Sequence, residues 1–243
     1  MKDFLQDIVQ HTHGLGTIEL VKITGDSTGT KINAIAEDRS VILEAQFKQP
    51  VAEFVGTFGM PNLGKLNTIL NIPEYREDAQ ITVTRQDRNG EKVPVGIHFE
   101  NKAGDFKNDY RFMTAEIINE KLKAVKFRGV NWHVEIKPTA ASIQRLKFQA
   151  QANSEETSFT VKTEGGALKF YFGDAASHAG NFVFDQGVSG SLSKGWHWPV
   201  AAVISILSLP GDKTMKISDD GATQITVDSG IAVYDYILPA QTK

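Results

Sequence analysis

Apolar and polar residues alternate along most of the chain with a period of two, which is typical of β-strands with one buried face. In the first half this pattern predicts strands over 17–24, 31–36, 41–47, 81–85, 93–100 and 110–114. In the second half it predicts strands over 158–163, 167–172, 181–184, 213–218, 224–227 and 231–238. Polar turns such as Asn89-Gly90 separate them, so we expect mainly antiparallel sheet.

Four other segments repeat apolar residues every three or four positions, as amphipathic helices do. The first spans Lys2 to Thr12 and ends at the turn Gly14-Leu15-Gly16. A second is expected from Pro61, because proline is favoured at the first helical position. The other two are expected near Pro138 and from Pro199.

The order helix, strands, helix, strands occurs twice along the chain. The sequence Gln-Ile-Thr-Val appears at 80–83 and again at 224–227, each time after a helix that ends in Ile-Leu. Such a recurrence indicates two copies of one unit. We therefore predict an α+β fold of two similar domains, each with two helices packed on antiparallel sheet. The predicted parts are an N-terminal domain at 1–115, a charged connector at 116–130 and a C-terminal domain at 131–243.

Composition narrows the functional classes. The chain has 243 residues and no cysteine, which excludes disulfides and thiolate chemistry. Its formal net charge of −3 argues against a tight nucleic-acid binder, although not against one that slides. The N-terminus has no signal-peptide pattern, and the apolar stretch from Pro199 to Pro210 is shorter than the roughly 20 residues a membrane helix needs. We expect a cytoplasmic protein with no membrane partner.

The segment from Gly59 to Lys65 has the glycine and lysine spacing of a phosphate-binding loop. Leu66 follows, where a serine or threonine hydroxyl must hold magnesium, and Pro61 removes a backbone donor. The segment is therefore interpreted as a turn into a helix.

The histidines offer no clear chemical site either. His11 and His13, two residues apart on a helix, point to different sides and have no acidic partner at ligand spacing. His197 lies between two tryptophans, without a Gly-x-Ser-x-Gly nucleophile motif. No catalytic residue, metal site or cofactor is predicted.

The second half carries residues that resemble known clamp proteins. Residues 143–147 read Ile-Gln-Arg-Leu-Lys, and 158–166 read Ser-Phe-Thr-Val-Lys-Thr-Glu-Gly-Gly. Together they resemble the start of the C-terminal domain of the sliding clamps of T-even-type phages. The tail at 233–240, Val-Tyr-Asp-Tyr-Ile-Leu-Pro-Ala, resembles the end of eukaryotic and archaeal proliferating-cell-nuclear-antigen clamps, where tyrosines precede Leu-Ala-Pro.

This resemblance implies a non-enzymatic sliding clamp, of phage origin and located in the host cytoplasm. Such a clamp is a closed ring that encircles duplex DNA without sequence specificity. An ATP-driven clamp loader places it on DNA, where it tethers the replicative DNA polymerase. Six domains per ring and two per chain imply a homotrimer with a head-to-tail interface. Helices would line the hole and sheets would form the outside.

A ring that slides needs weak, exchangeable phosphate contacts, so basic side chains are expected on the exposed sides of the inner helices. Lys65 and Arg145 are the first candidates, because each lies opposite the apolar residues of its helix. Five further DNA-facing candidates are Lys2, His13, Lys137, Lys147 and Lys194.

In the resembling families, partners insert a short peptide with apolar anchors between the connector and the C-terminal tail. The predicted pocket here comprises Val125, Phe127, Tyr236, Ile237, Leu238, Pro239 and Ala240. Pro239 is expected to end the last strand, since it cannot donate to a ladder, and to leave the tail free for an incoming peptide. In the alternative, Ile237 and Leu238 simply complete the sheet.

Two other functional classes stay open. The first is an oligomeric phage structural protein, such as a tail or capsid β-domain, with no DNA-tethering role. The second is an enzyme on a β-scaffold, although the chain has no recognisable nucleophile–base or metal constellation. Basic residues on the exposed faces of all inner helices would favour the clamp.

Overall fold

The computed structural model describes residues 1–88, 90–123 and 127–241. The chain divides into two compact units. Unit 1 comprises Met1–Lys126 and Ser229–Tyr234, and unit 2 comprises Phe127–Asp228 and Asp235–Lys243. The main division falls inside the predicted connector, while a short segment near the C-terminus belongs to unit 1. The domain limits at 115 and 131 stay a prediction, because a division by contacts need not coincide with a division by repeats.

Unit 1 begins with helix α1 (Lys2–His11). Four antiparallel strands follow in the sheet order β4-β1-β2-β3, namely β1 (Leu20–Gly25), β2 (Thr30–Ile35), β3 (Ile42–Phe47) and β4 (Gly56–Pro61). Helix α2 (Leu63–Leu70) leads to a second antiparallel sheet with the order β5-β6-β7, formed by β5 (Gln80–Arg88), β6 (Glu91–Glu100) and β7 (Lys107–Arg111). Helix α3 (Ala115–Lys121) comes last. Short 3-10 helices lie at His13–Leu15, Ala52–Phe54 and Pro73–Tyr75.

Unit 2 has a similar set of elements. Strand β8 (Val134–Ile136) precedes helix α4 (Ala140–Ala152). One sheet has the order β11-β10-β9-β12, from β9 (Ser158–Glu164), β10 (Ala167–Gly173), β11 (Ala179–Gln186) and β12 (His197–Pro199). After helix α5 (Val200–Leu207), β13 (Asp212–Ser218), β14 (Ala222–Asp228) and β15 (Ala232–Pro239) follow, in the sheet order β15-β14-β13-β8. Of β15, only the residues from Asp235 onward are counted in unit 2.

The predicted repeat is confirmed at the level of elements, and with it the α+β class. In each half a helix precedes four strands in the order fourth-first-second-third, a second helix follows, and three neighbouring strands come after it. The residue match that suggested the repeat is wrong as an alignment. Residues 80–83 lie in the first strand after α2, whereas residues 224–227 lie in the second strand after α5. The Ile-Leu pairs do end equivalent helices.

Prolines precede the helices more often than they begin them. Pro61 is the last residue of β4, a strand that the sequence pattern did not predict, and α2 begins at Leu63 after Asn62, whose φ is 54°. Pro199 ends β12 and caps α5. Helix α4 begins after Thr139, whose Oγ1 accepts a hydrogen bond from Ser142 N at 3.0 Å.

Each unit has its own apolar core. In unit 1, Leu5, Ile8 and Val9 form the buried face of α1, and α2 buries four apolar residues. In unit 2, Phe170 stacks on Phe159 and Phe184, with ring centroids 4.7 and 4.3 Å apart. Full burial of each such side chain contributes about 1.5–3 kcal/mol, which explains why a helix of only eight residues is stable here.

A buried carboxyl group ties Ser229–Tyr234 to α1 within unit 1. Asp7, 7% exposed, accepts hydrogen bonds at Oδ2 from Tyr234 Oη at 2.7 Å and from Ser229 Oγ at 3.1 Å. The ring of His11, one turn further along α1, stacks on Tyr234 with centroids 4.5 Å apart. A buried carboxyl group without donors is costly, so these contacts fix the late segment against the first helix.

We predict that Tyr234→Phe lowers the free energy of unfolding by about 1–3 kcal/mol, because it leaves a buried acceptor short of one donor. Urea unfolding followed by circular dichroism measures the loss. The matched control is Tyr171→Phe on β10, because this tyrosine is half-exposed. An equal loss in both variants would show that the Asp7 contact has no special weight.

A second buried carboxylate organises the glycine-rich segment that precedes β12. Asp219 accepts hydrogen bonds from Ser193 N, from Ser193 Oγ at 2.7 Å and from Lys194 N. Trp196 Nε1 donates to the Asp219 carbonyl at 2.8 Å. Burial acts to raise the pKa of Asp219, but the hydrogen bonds outweigh it and hold the pKa below its ordinary value of 3.8.

A group whose pKa is lowered by folding stabilises the fold above its unfolded pKa, and this contribution is lost as the pH falls through the folded pKa. We therefore predict that Asp219→Asn destabilises unit 2 at pH 7. The difference from the unmodified protein should shrink below pH 3.8. Urea unfolding followed by tryptophan fluorescence at several pH values tests this, with the exposed neighbour Asp220→Asn as control. A pH-independent difference would contradict it.

Candidate nucleic-acid interface

Four of the described helices carry most of the predicted DNA-facing side chains. α1 packs on α2 in unit 1, and α4 packs on α5 in unit 2. Four of the 26 Lys and Arg residues lie on these helices, against two of the 29 carboxylates. The helices thus have a formal charge of +2, while the rest of the chain has −5. This sign is the one that favours nucleic acid, although the excess is small.

Two helical lysines are available for an outside partner. Lys65 is exposed on α2, on the side opposite its buried leucines, as predicted. Lys147 on α4 is half-buried. Neither side chain makes a hydrogen bond or an ion pair within the part of the chain that the structure describes. Phosphate contact by these lysines stays a prediction.

Arg145 and Lys2 already have partners inside their units. Arg145 Nη1 donates to Val183 O at 3.0 Å, and its guanidinium lies 5.3 Å from the centre of the Phe182 ring. The side chain therefore packs against β11. Lys2 Nζ donates to Tyr75 O at 2.6 Å and to Arg76 O at 3.3 Å. Both side chains therefore help to hold their units together.

His13 belongs to a contact that starts α2. Its Nδ1 is hydrogen-bonded to Glu19 Oε1, and Glu19 Oε2 accepts from Gly64 N at 2.9 Å. A carboxylate at the N-terminus of a helix is favourable, because it satisfies a free N–H group and the helix dipole. A Cβ at Gly64 would lie 3.1 Å from the imidazole, so a larger residue there would require His13 to shift. His13 thus positions Glu19.

Lys137 and Lys194 lie outside the helices. Lys137 is exposed between β8 and α4. Lys194 is exposed in the segment held by Asp219, with Nζ 5.7 Å from the centre of the Trp196 ring. The seven candidates therefore differ in setting, since two are available helical lysines, three are bonded inside unit 1 or unit 2, and two belong to loops.

The expectation of basic residues on every inner helix is wrong for α5. Its eight residues include no charged side chain, and its exposed residue is Ala201, with the exposed Ser208 directly after it.

A groove lined by amide side chains lies between α1 and α2, and no sequence pattern had predicted it. The groove has a volume of about 420 Å³, and among the described residues it is lined by Gln6, Gln10, Asn67, Asn71 and His13, with Val9, Gly14 and Leu70 as the remaining wall. No Lys, Arg, Asp or Glu is among these lining residues. The sequence signal for this groove is the spacing of the two amide pairs, because the members of each pair are one helical turn apart. The predicted DNA-facing residues were all basic, so these amides were not among them.

The predicted partner pocket is divided by the structure. Tyr236, Ile237 and Leu238 are at most 3% exposed, which is what the alternative of a completed sheet requires. β15 ends at Pro239 as predicted. The expectation of a free tail is wrong for the next residues, because Ala240 N donates to Gly221 O and Gln241 N to His197 O, both at 2.9 Å.

The two remaining pocket residues belong to the connector. Phe127 is half-buried, with its ring centroid 6.1 Å from that of Trp132. Val125 lies outside the described residues. A separate groove of about 410 Å³ lies in unit 1, at the start of the connector. Its lining is Lys22, Asn33, Ala34, Ile42, Leu43, Glu44, Asn119, Leu122 and Lys123. The sequence signal for it was Leu122, an apolar residue in a charged stretch.

The phosphate-loop, metal and membrane alternatives find no support in the described parts of the chain. The segment Gly59 to Lys65 consists of the end of β4, one turn residue and the start of α2, in accordance with its interpretation as a turn into a helix. No group of three or more His, Asp or Glu side chains is placed to hold a metal within 1–88, 90–123 and 127–241. In the same ranges no helix is long and apolar enough to cross a membrane.

Comparison with known proteins gives structural relatives only. No protein-family model and no curated protein matches the sequence. Among solved structures, the chain is similar to the PCNA of A. fulgidus bound to the C-terminal region of FEN-1, with a TM-score of 0.72 and 10% identity over 100% of this chain and 97% of the other. It is also similar to PCNA from Thermococcus kodakaraensis, with a TM-score of 0.69 and 12% identity over 98% and 97%.

A third similar structure is the PCNA2–PCNA3 complex from Sulfolobus tokodaii, with a TM-score of 0.65 and 13% identity over 98% and 97% of the two chains. Identities this low establish the architecture and no more. The match extends over both repeats, as the order of helices and strands requires. The chain therefore has the fold of the PCNA sliding clamps.

Proposed function

We propose that this chain is a subunit of a sliding clamp that encircles duplex DNA and tethers a DNA polymerase for processive synthesis. The observation that supports it best is the repeated helix–sheet unit, which matches PCNA structures over the whole chain. The excess of positive charge on the helices agrees with it. In this function the protein is not an enzyme, requires no cofactor and is placed on DNA by a clamp loader.

A ring of such chains needs surfaces that join one copy to the next. β7 lies at the edge of its sheet in unit 1, and β11 lies at the edge of its sheet in unit 2. An open edge exposes N–H and C=O groups that can pair with another strand. Pairing of β7 in one copy with β11 in the next would be head-to-tail, and three such contacts would close a homotrimer of six repeats.

Exposed phenylalanines accompany both edges. Phe148, 59% exposed, lies on α4, which packs against β11, and Phe106, 41% exposed, directly precedes β7. Large exposed apolar side chains are frequent at protein interfaces, because their burial on association is favourable. We assign both phenylalanines to the contact between copies.

We predict a particle of three times the 26.7 kDa chain mass by light scattering across a concentration series. Phe148→Asp should weaken association about tenfold or more, since each 1.4 kcal/mol of lost binding is tenfold. The control is Val55→Asp, another exposed apolar residue, which directly precedes β4 and belongs to neither edge strand. A strict monomer or a stable dimer at micromolar concentration and above would contradict the trimer, and an unchanged Phe148→Asp would contradict the assigned contact.

The available helical lysines provide a second prediction. Lys65→Glu with Lys147→Glu should shorten the products of loader-dependent synthesis while the trimer mass is unchanged. Each lost phosphate contact should also flatten the dependence of log affinity on log salt by about one unit. Arg145 is left unchanged, because its substitution would also break the bond to Val183.

The control for this experiment exchanges two exposed lysines on strands, Lys31→Glu and Lys162→Glu, with the same change in net charge. Equal product lengths for the helical and the strand variants would show that the helices do not face DNA.

The partner-peptide site needs a surface that the described residues leave open. Pro239 is exposed and Ala240 is half-exposed, so both stay predicted contacts of the peptide. Tyr236, Ile237 and Leu238 are buried and would hold this end of β15 in place without touching the peptide. A separate candidate surface, the groove within unit 1 at the start of the connector, offers Ile42 and Leu122 as apolar lining beside lysines that would attract an acidic flank. A polymerase peptide has room there without displacing a strand.

The uncharged surface of α5 favours a second candidate, an oligomeric phage structural protein without a DNA-tethering role. Retention on circular DNA, with release after linearisation, would separate the two, because only an encircling ring behaves in this way.

The origin from a T-even-type phage and the location in the host cytoplasm rest on the sequence resemblance at 143–147 and 158–166.

A further inference from the structure

The amide groove between α1 and α2 has a chemistry that differs from a basic DNA-binding surface. Gln6 and Gln10 are exposed on α1, one turn apart. Asn67 on the facing helix α2 is likewise one turn from Asn71, the residue that directly follows that helix. The lining contains neither a lysine or arginine nor a carboxylate among the described residues. Apart from His13, whose Nδ1 is hydrogen-bonded to Glu19, a partner in this groove therefore meets neutral hydrogen-bonding groups.

The amides are partly oriented by the helix itself. Asn71 Nδ2 donates to Asn67 O at 2.8 Å and to Asn67 Oδ1 at 2.9 Å. The Asn67 oxygen is thus occupied, and its Nδ2 has no partner in the part of the chain that the structure describes. The side chains of Gln6 and Gln10 also have no hydrogen bond to described residues. Three amide N–H₂ groups are consequently available as donors in one groove.

Neutral donors and cations differ in their response to salt. A lysine or arginine that contacts a phosphate releases condensed counterions, and each such contact adds about 0.9 to the slope of log affinity against log salt. An Asn or Gln side chain donates to the same phosphate oxygens without releasing a counterion. Amide contacts hold a polyanion at short range and leave the binding weakly dependent on salt.

On the basis of the proposed clamp function, we propose that the amide groove contacts the DNA backbone through neutral hydrogen bonds. The exposed Lys65 on the same helix provides the attraction, and the amides provide contacts that are made and broken as the ring moves. A row of lysines would instead bind each set of phosphates tightly enough to slow the motion. The groove thus makes sliding weakly dependent on ionic strength.

The experiment measures one-dimensional diffusion of the labelled full-length protein on DNA. The ring is threaded onto linear duplex over a free end, and both ends are then blocked with streptavidin. Diffusion coefficients are compared between about 50 and about 200 mM salt, a range over which 6–10 ionic contacts lose about 10³–10⁵ in affinity. Three variants are compared with the unmodified chain.

The first variant, Gln6→Lys with Gln10→Lys and Asn67→Lys, should diffuse about tenfold more slowly at low salt and accelerate steeply as salt is added. The second replaces the same three residues by alanine, and should diffuse about twofold faster with an unchanged salt dependence. The matched control replaces the exposed Gln46, Gln49 and Gln80 by lysine, which changes the charge equally on sheet and loop positions. It should behave like the unmodified chain, whose diffusion should change less than about twofold with salt.

The outcomes separate this inference from the function on which it rests. Protein that is not retained on end-blocked DNA would overturn the clamp function and the inference with it. A retained ring whose unmodified form accelerates with salt as steeply as the lysine variant would overturn the inference alone. So would an alanine variant that diffuses like the unmodified chain.

Discussion

Burial of one apolar face of each helix within its own unit determines what the helices can present to a partner. The side chains of Leu5, Ile8 and Leu66 are fully buried, so the rotation of α1 and α2 about their axes is fixed. The opposite faces are then exposed by necessity, and their composition decides the chemistry of that surface. A change in the apolar face would rotate different side chains outward, which links core packing directly to the proposed contact with DNA.

The fourth strand of each half sets where the following helix begins. In both halves the fourth strand lies beside the first and ends at a proline, Pro61 or Pro199. Proline cannot donate to a further ladder bond, so the strand stops there and the chain turns into a helix. The helix therefore starts at a fixed point relative to its sheet. Two unrelated-looking sequences, Gly56–Pro61 and His197–Pro199, serve this purpose equivalently.

The periodic elements could be predicted from sequence, and the remainder could not for identifiable reasons. Alternation predicted most strands, but Gly56–Pro61 has two glycines and buries three successive residues, so it shows no alternation. The shared sequence Gln-Ile-Thr-Val at 80–83 and 224–227 paired β5 with β14, which are not equivalent strands. Such short matches arise easily, because any half-buried strand favours β-branched residues. Helical wheels placed Lys65 correctly, yet they could not show that Arg145 bends back onto Val183, since a long side chain has several rotamers. The pattern after Pro239 also did not show that the backbone N–H groups of Ala240 and Gln241 are hydrogen-bonded to other loops and strands.

The contact of Asp7 with Ser229 and Tyr234 has a consequence for the order of folding. These residues are separated by more than 220 positions, as far apart as this chain nearly allows. During synthesis the first helix emerges early and its partners emerge last, so unit 1 is completed only when the chain is almost finished. A nascent chain therefore holds a first unit that lacks one of its own pieces. Premature termination shortly before Ser229 would damage the oldest part of the molecule as well as the newest.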